Sequence, residues 1–263
     1  MTESRALALV TGASSGIGFE IAKQFQARGF DLVVAAEDVA VESAAAALAD
    51  GTDVRPVRVD LRTSTGVEQL YATATEGGRH LDAVALNAGV GRGGLFTETA
   101  LADELDIVDL NVRSTVHLAK LVARDMAARG QGRLLFTASL AAMMPGPRQA
   151  VYNASKSFVL SFAEALREEL RDSGVTVTAL LPGPTDTDFF RRAKMLATRI
   201  GRGPKDDPAA VARQGVDALF NDERKIVAAS LAVKSAGLLD RVLPDPVKAK
   251  MNRVISMPTR ADR

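Results

Sequence analysis

Tyr152 and Lys156 stand four residues apart in the run V-Y-N-A-S-K. On a helix that spacing puts the phenol and the ammonium on one face. A free tyrosine titrates near ~10, too high for an efficient base at neutral pH, and a neighbouring cation favours its phenolate. Ser139 follows an apolar run, residues 133–138 (R-L-L-F-T-A), and offers a hydroxyl to the same substrate oxygen. Together the three groups make a proton-transfer unit. Taken alone, Tyr-x-x-x-Lys also describes a surface tyrosine on an amphipathic helix with an unrelated lysine nearby. The elements that hold these residues therefore decide what the pair means.

Those elements alternate along the chain. Residues 6–10 (A-L-A-L-V) form a continuous apolar run, as in a strand buried on both faces. The turn T-G-A-S-S-G-I-G follows at once, and a helix is predicted over 19–28, ended by Gly29. Backbone N–H groups in such a turn, together with the helix dipole, suit a phosphate. Further strands are predicted at 31–36, 54–59, 81–86, 133–138, 175–181 and 225–229. Helices are predicted at 41–49, 65–76 (opened by Ser64 or Thr65), 102–126 and from Tyr152 to about 171. The alternation implies an α/β fold: a doubly wound parallel sheet of about seven strands between two helical layers, in a single domain over 1–263. Ligands bind outside the carboxyl ends of such strands. Gly12 to Gly18, Glu37, Asp60, Asn87 to Gly89, Ser139 and Pro182 to Thr187 all fall there.

Composition narrows the classes. Net charge is +1 and cysteine is absent, so nothing argues for a nucleic-acid partner, a disulfide framework or a thiolate site. The two histidines, His80 and His117, lie far apart in sequence, and no metal site is expected. No apolar run reaches the roughly 18 residues of a membrane span, and no signal peptide is evident, so a cytoplasmic location is expected. The letters Gly12-Ala13-Ser14-Ser15-Gly16 also spell G-x-S-x-G, a hydrolase nucleophile elbow. An elbow needs several preceding strands and a late histidine. Here only one strand precedes Ser14, and neither histidine comes late.

With these residues assembled, the chain resembles the short-chain dehydrogenase/reductase family over nearly its whole length. Thr11 to Gly18 looks like the family's T-G-x-x-x-G-x-G cofactor turn. Asn87-Ala88-Gly89 matches its N-A-G, with Leu86 where the family has a further Asn. Asn111, Ser139, Tyr152 and Lys156 fall at its catalytic tetrad. The resemblance implies a Rossmann-type fold and hydride transfer between a nicotinamide, NAD(H) or NADP(H), and a carbonyl or secondary alcohol. It implies that Tyr152 is the acid/base, that Ser139 bonds the substrate oxygen, and that Lys156 lowers the Tyr152 pKa and binds ribose. Asn111 is implied to hold a relaying water. Implied cofactor contacts are Gly12, Ser14, Ser15, Gly16, Ile17, Gly18, Glu37, Asp60, Leu61, Asn87, Ala88, Gly89, Tyr152, Lys156, Pro182, Gly183, Thr185 and Thr187. A catalytically silent cofactor-binding regulator on the same fold is the rival reading.

The substrate side is expected in the variable stretches, including 186–215. Leu95, Phe96, Met143, Met144, Phe189, Phe190, Met195 and Leu196 suggest an apolar pocket for a hydrophobic ketone or alcohol. The 189–200 pattern also fits a helix packed on the core, and Arg191, Arg192 and Lys194 fit either an acid-binding patch or a solvated face. The 230–263 extension is amphipathic over 231–254; it suits covering the pocket, packing on a subunit or touching a membrane surface. A homodimer or homotetramer is expected, with Phe158, Phe162 and Leu166 as surplus apolar positions. No base stands at Ser14, Ser15, Ala36, Glu37 or Asp38, and Glu37 repels a 2′-phosphate, so NAD(H) is preferred over NADP(H). Against that, Arg62 lies close enough to swing toward a phosphate, and Glu37 also reads as an exposed turn residue.

Overall fold

The computed structural model describes residues 5–228 and 252–257. Seven parallel strands run β1 (Leu7–Thr11), β2 (Asp31–Ala36), β3 (Val54–Arg58), β4 (Ala83–Leu86), β5 (Gly132–Thr137), β6 (Val175–Pro182) and β7 (Lys225–Ala228) in chain order. In space the order is β3-β2-β1-β4-β5-β6-β7. Winding reverses between β1 and β4, where Ala8, Leu9 and Val10 pair with Ala83, Val84 and Ala85. That reversal opens a crevice at the strand C-termini.

The strands are near-continuous apolar runs because both faces are covered. Leu7 and Leu9 of β1 join the core on one face, and Ala8 and Val10 join the core on the other. One core lies under α1 (Gly16–Gln26), α2 (Ala40–Leu48) and, later in the chain, residues 208–220. Phe25, Phe30 and Phe220 cluster there, with ring centroids 5.5 to 6.3 Å apart. The other core lies under α3 (Ser64–Ala74), α5 (Ser114–Arg129) and α6 (Ala150–Glu169), and α4 (Leu101–Val108) packs beside α6. Phe25 is fully buried, and truncating such a residue to Ala costs about 3–5 kcal/mol.

Several boundaries differ from the sequence pattern for local reasons. Helix α3 is capped one residue before the predicted start, by Thr63, whose side chain accepts from the Gly66 N–H at 3.0 Å. The predicted 102–126 helix is interrupted by a π turn at Asp109–Arg113. Strand β4 starts at Ala83, because Asp82 turns its carboxylate to the Leu7 N–H at 2.8 Å. Between β6 and β7 come two short helices, α7 (Phe189–Arg192) and α8 (Arg199–Arg202), then α9 (Pro208–Phe220), which packs on α1. Of the predicted 230–263 extension, only 252–257 lie among the described residues, and 252–255 are helical. Ala229 and the amphipathic stretch from Leu231 to residue 251 lie outside them. No helix among the described residues is long and apolar enough to cross a membrane.

Candidate active site

A cavity of about 550 Å³ opens where β1 and β4 part. One end is the glycine turn. Gly12 takes φ +66°, and a Cβ on Gly18 would sit 2.1 Å from the Gly12 carbonyl oxygen and 2.6 Å from Asn87 Nδ2. Only glycine lets the α1 N-terminus pack this close to the strand ends. Asn87 is held from both sides. Its N–H donates to Thr11 Oγ1 at 3.0 Å, its Nδ2 to the Thr11 carbonyl at 3.1 Å, and its Oδ1 accepts from Thr137 Oγ1 at 3.1 Å. Leu86 is buried in the core and pairs with Phe136 across the sheet.

Beside that turn, α6 presents Tyr152 and Lys156, both nearly fully buried. Lys156 Nζ donates to the Thr137 carbonyl at 2.9 Å, and Tyr152 lines the cavity together with Ser139. Burial pushes the phenol up to about 12, with Ser139 pulling the other way. Burial also pulls the ammonium down to about 8. The expectation that the Lys156 charge lowers Tyr152 is therefore corrected for the chain by itself: the ammonium turns to a carbonyl, and desolvation dominates both groups. The Tyr152 ring leans on Phe189, with centroids 5.2 Å apart.

Asn111 does not line the cavity; it stands behind Gly89. A Cβ on Gly89 would lie 3.2 Å from both Asn111 Oδ1 and Lys156 Nζ. The Asn111 amide mimics a backbone pair with Val90, accepting from its N–H and donating to its carbonyl, each at 2.9 Å. It also donates to Ser155 Oγ at 3.0 Å, tying the π turn to α6. Single π turns are common at functional sites. Helix α6 grips the 139–147 loop as well, through Asn153 Nδ2 on the Ala141 and Met144 carbonyls, each at 3.0 Å.

At the far side of the glycine turn, Glu37, Asp38 and Asp60 line the cavity. Arg62 is ion-paired with Glu37, lies 3.1 Å from Asp60, and reaches Asp106 at 3.8 Å. Its hydrogen bond to Glu37 holds the guanidinium above its ordinary pKa. Asp38 was absent from the predicted contacts, yet it accepts from Ser14 Oγ at 2.9 Å. Neither histidine lines the cavity, so Ser14 has no general base of the elbow type there.

All the predicted cofactor contacts, Gly12 through Thr187, line this one cavity with Ser139. Arg192 was missed. It reaches across the fold to donate to Ser15 Oγ at 3.0 Å, while Arg191 pairs with Asp188 at 2.8 Å. Only a fold brings positions so distant in sequence together, so no local pattern announces the contact. On the substrate side Met143, Met144, Phe189 and Phe190 line the cavity, but Leu95, Phe96, Met195 and Leu196 do not. Leu95, Phe96 and Leu196 are exposed, and Met195 is buried against Gly93, where an added Cβ would come within 2.5 Å of its Cγ.

The short chain dehydrogenase family profile matches residues 6–195. The chain is 35% identical over 186 residues to a 3-oxoacyl-[acyl-carrier-protein] reductase of Synechocystis sp., covering 70% of this chain and 75% of that one. A short chain dehydrogenase/reductase from Burkholderia phymatum in complex with NAD superposes with a TM-score of 0.81 at 25% identity, covering 91% of this chain and 94% of that chain. A short-chain dehydrogenase from Sphingobium yanoikuyae in complex with NADPH gives 0.80 at 26% identity, covering 98% of both chains.

Proposed function

This chain belongs to the short-chain dehydrogenase/reductase family, and we propose that it reduces a hydrophobic ketone, or oxidises the matching secondary alcohol, with NAD(H). The observation that carries the reading is the convergence of Ser139, Tyr152 and Lys156 on one cavity that continues to the glycine turn. The nicotinamide supplies or takes the hydride when bound.

The chain's own groups handle the proton. Tyr152, protonated across neutral pH with its phenol at about 12, donates to the developing alkoxide. Ser139 bonds the same oxygen and stabilises its charge. Lys156, held by the Thr137 carbonyl on the cavity wall, would bind the ribose beside the nicotinamide. Asn111 acts as a positioning residue, holding Val90 and α6 in register behind Gly89. The glycine turn fits a dinucleotide phosphate, because Ser15 makes no side-chain cap bond to α1 and Ser15, Gly16 and Ile17 line the cavity at its N-terminus. Arg192 adds a cation at that end. The observation favours oxidoreduction over a silent regulator, since a regulator has no use for a buried phenol that shares the cavity with Ser139 and Lys156. Turnover of an aliphatic and aromatic ketone panel with each reduced dinucleotide tests the reading, and a panel wholly inert with both removes it.

The NAD preference rests on the adenosine end, where Glu37, Asp38 and Asp60 line the cavity and Arg62 is spent on Glu37 and Asp60. A 2′-phosphate there meets carboxylates at an effective cost of about 1–4 kcal/mol for a close pair at intermediate dielectric. Wild-type kcat/KM is expected to favour NADH by about tenfold or more, and Glu37→Arg, which also frees Arg62, to reverse that ratio. Steady-state kinetics with both cofactors checks it; a wild-type NADPH preference untouched by the substitution contradicts it.

A homodimer or homotetramer completes the proposal. Leu101, Leu105 and Val108 follow i, i+4, i+7 on α4 and all stand exposed, as do Val116 on α5 and Phe158 on α6. Phe162 and Leu166 instead pack against the core, leaving Phe158 as the surplus apolar position of α6. Light scattering at micromolar concentration is expected to give a dimer or larger, and Leu105→Glu to give a monomer.

A further inference from the structure

The substrate end of the cavity is closed by residues from far along the chain. Asn252 and Ile255 line the same cavity as Ser139 and Tyr152. Three hydrogen bonds seat their segment on separate parts of the fold. Asn252 Nδ2 donates to the Pro145 carbonyl at 3.0 Å, and Gln149 Nε2 donates to Ser256 Oγ at 3.4 Å. The Arg199 N–H donates to the Met257 carbonyl at 3.3 Å. Asn252 and Ser256 are 6% and 2% exposed, so breaking these bonds leaves shielded polar groups unpaired. The contacts bracket Met144 and Ile200, two apolar residues of the cavity wall. Within the segment, 252 and 255 share a helix face and 254 does not. Val254 and Ile255 are nearly equally exposed, 45% and 40%, yet only Ile255 lines the cavity.

We infer that residues 252–257 form the closing wall of the substrate chamber, and that Ile255 selects substrates by the length of an aliphatic arm on the ketone or secondary alcohol. The inference rests on the proposed oxidoreductase reading for its chemistry and on the cavity lining for its geometry. The arm extends from the carbonyl at Ser139 and Tyr152 past Met144 and Ile200 to Ile255.

The chain contains no tryptophan, so Ile255→Trp and Val254→Trp each introduce a single emitter. Both positions are partly exposed and tolerate the change without core strain. With each oxidised dinucleotide saturating, an added long-chain methyl ketone is expected to shift the emission of Ile255→Trp to shorter wavelength and to leave Val254→Trp unmoved. Across methyl ketones of increasing length, Ile255→Trp is expected to lose about tenfold or more in kcat/KM for the longest, through KM, and about twofold or less for the shortest. Val254→Trp should track wild type throughout. Equal responses at both positions, or a flat length series in Ile255→Trp, overturn the wall. If no ketone turns over in wild type but the 255 emitter alone responds, the wall stands and the oxidoreductase reading falls. If ketones turn over but the 255 emitter stays silent, the wall falls and the oxidoreductase reading stands.

Discussion

Tyr152→Phe is expected to lower kcat for ketone reduction by about two to four orders of magnitude, the range general acid catalysis supplies. The substitution removes one oxygen and keeps the ring, which is buried and leans on Phe189. Packing and the Gly-turn end of the cavity are therefore preserved, and cofactor affinity should stay within a few-fold. Ser139 keeps the Ala141 N–H at 3.1 Å, so the loop holds. Single-turnover rates with the variant, alongside cofactor titration, check the result. A variant within a few-fold of wild type means that the phenol does not deliver the proton.

Lys156→Met is expected to separate stability from activity. The lysine is 5% exposed, and burial brings its pKa from 10.5 to about 8, a gap worth about 3 kcal/mol. Proton counts set the sign. Below pH 8 both the folded and unfolded chains carry the proton, and the cost of burying the charge is fully present. Between 8 and 10.5 the unfolded chain binds more protons than the folded one, so stability rises with pH. Above 10 Tyr152 opposes this: its pKa rises from 10.0 to about 12, and the unfolded chain sheds that proton first. The clean window is thus about pH 8 to 10. Methionine removes the charge but leaves the Thr137 carbonyl without its donor, a loss of about 1–3 kcal/mol. The net expectation at pH 7 is a gain of order 1 kcal/mol, or a Tm about 2–4 °C higher, with turnover falling by about a thousandfold. Wild type should gain stability from pH 8 to 10 and the variant should not. Thermal melts of both proteins across that window check it. A variant less stable than wild type at pH 7 contradicts the burial cost.

The sheet was legible because buried parallel strands must be apolar on both faces. Residues 31–36 read as a strand and form one, since neither face of D-L-V-V-A-A is polar enough to meet water. The glycine turn was legible because close backbone approach leaves only glycine at 18. The π turn at Asn111 was not, since a single widened turn barely disturbs helical periodicity, and the amide pair it makes with Val90 spans positions distant in sequence. Leu95, Phe96 and Leu196 misled because apolarity marks burial or a partner surface as readily as a pocket. Arg192 and Asn252 join the cavity only through contacts distant in sequence, with Ser15 and Pro145. The ionisation of Tyr152 and Lys156 also escaped: spacing announces that two groups are neighbours, while burial sets the direction of both shifts.

The most direct test of hydride transfer at this site is an isotope experiment. The purified chain is incubated with a hydrophobic ketone and a reduced dinucleotide carrying deuterium at the transferring carbon of its nicotinamide, each face labelled in turn, and the alcohol is examined by mass spectrometry. Hydride transfer with Tyr152 as the acid predicts one deuterium on the carbinol carbon for each cofactor oxidised, from one labelled face only, and loss of that product in Tyr152→Phe. Tight cofactor binding with no labelled alcohol from any ketone of the panel, or label transfer undiminished in Tyr152→Phe, would contradict it.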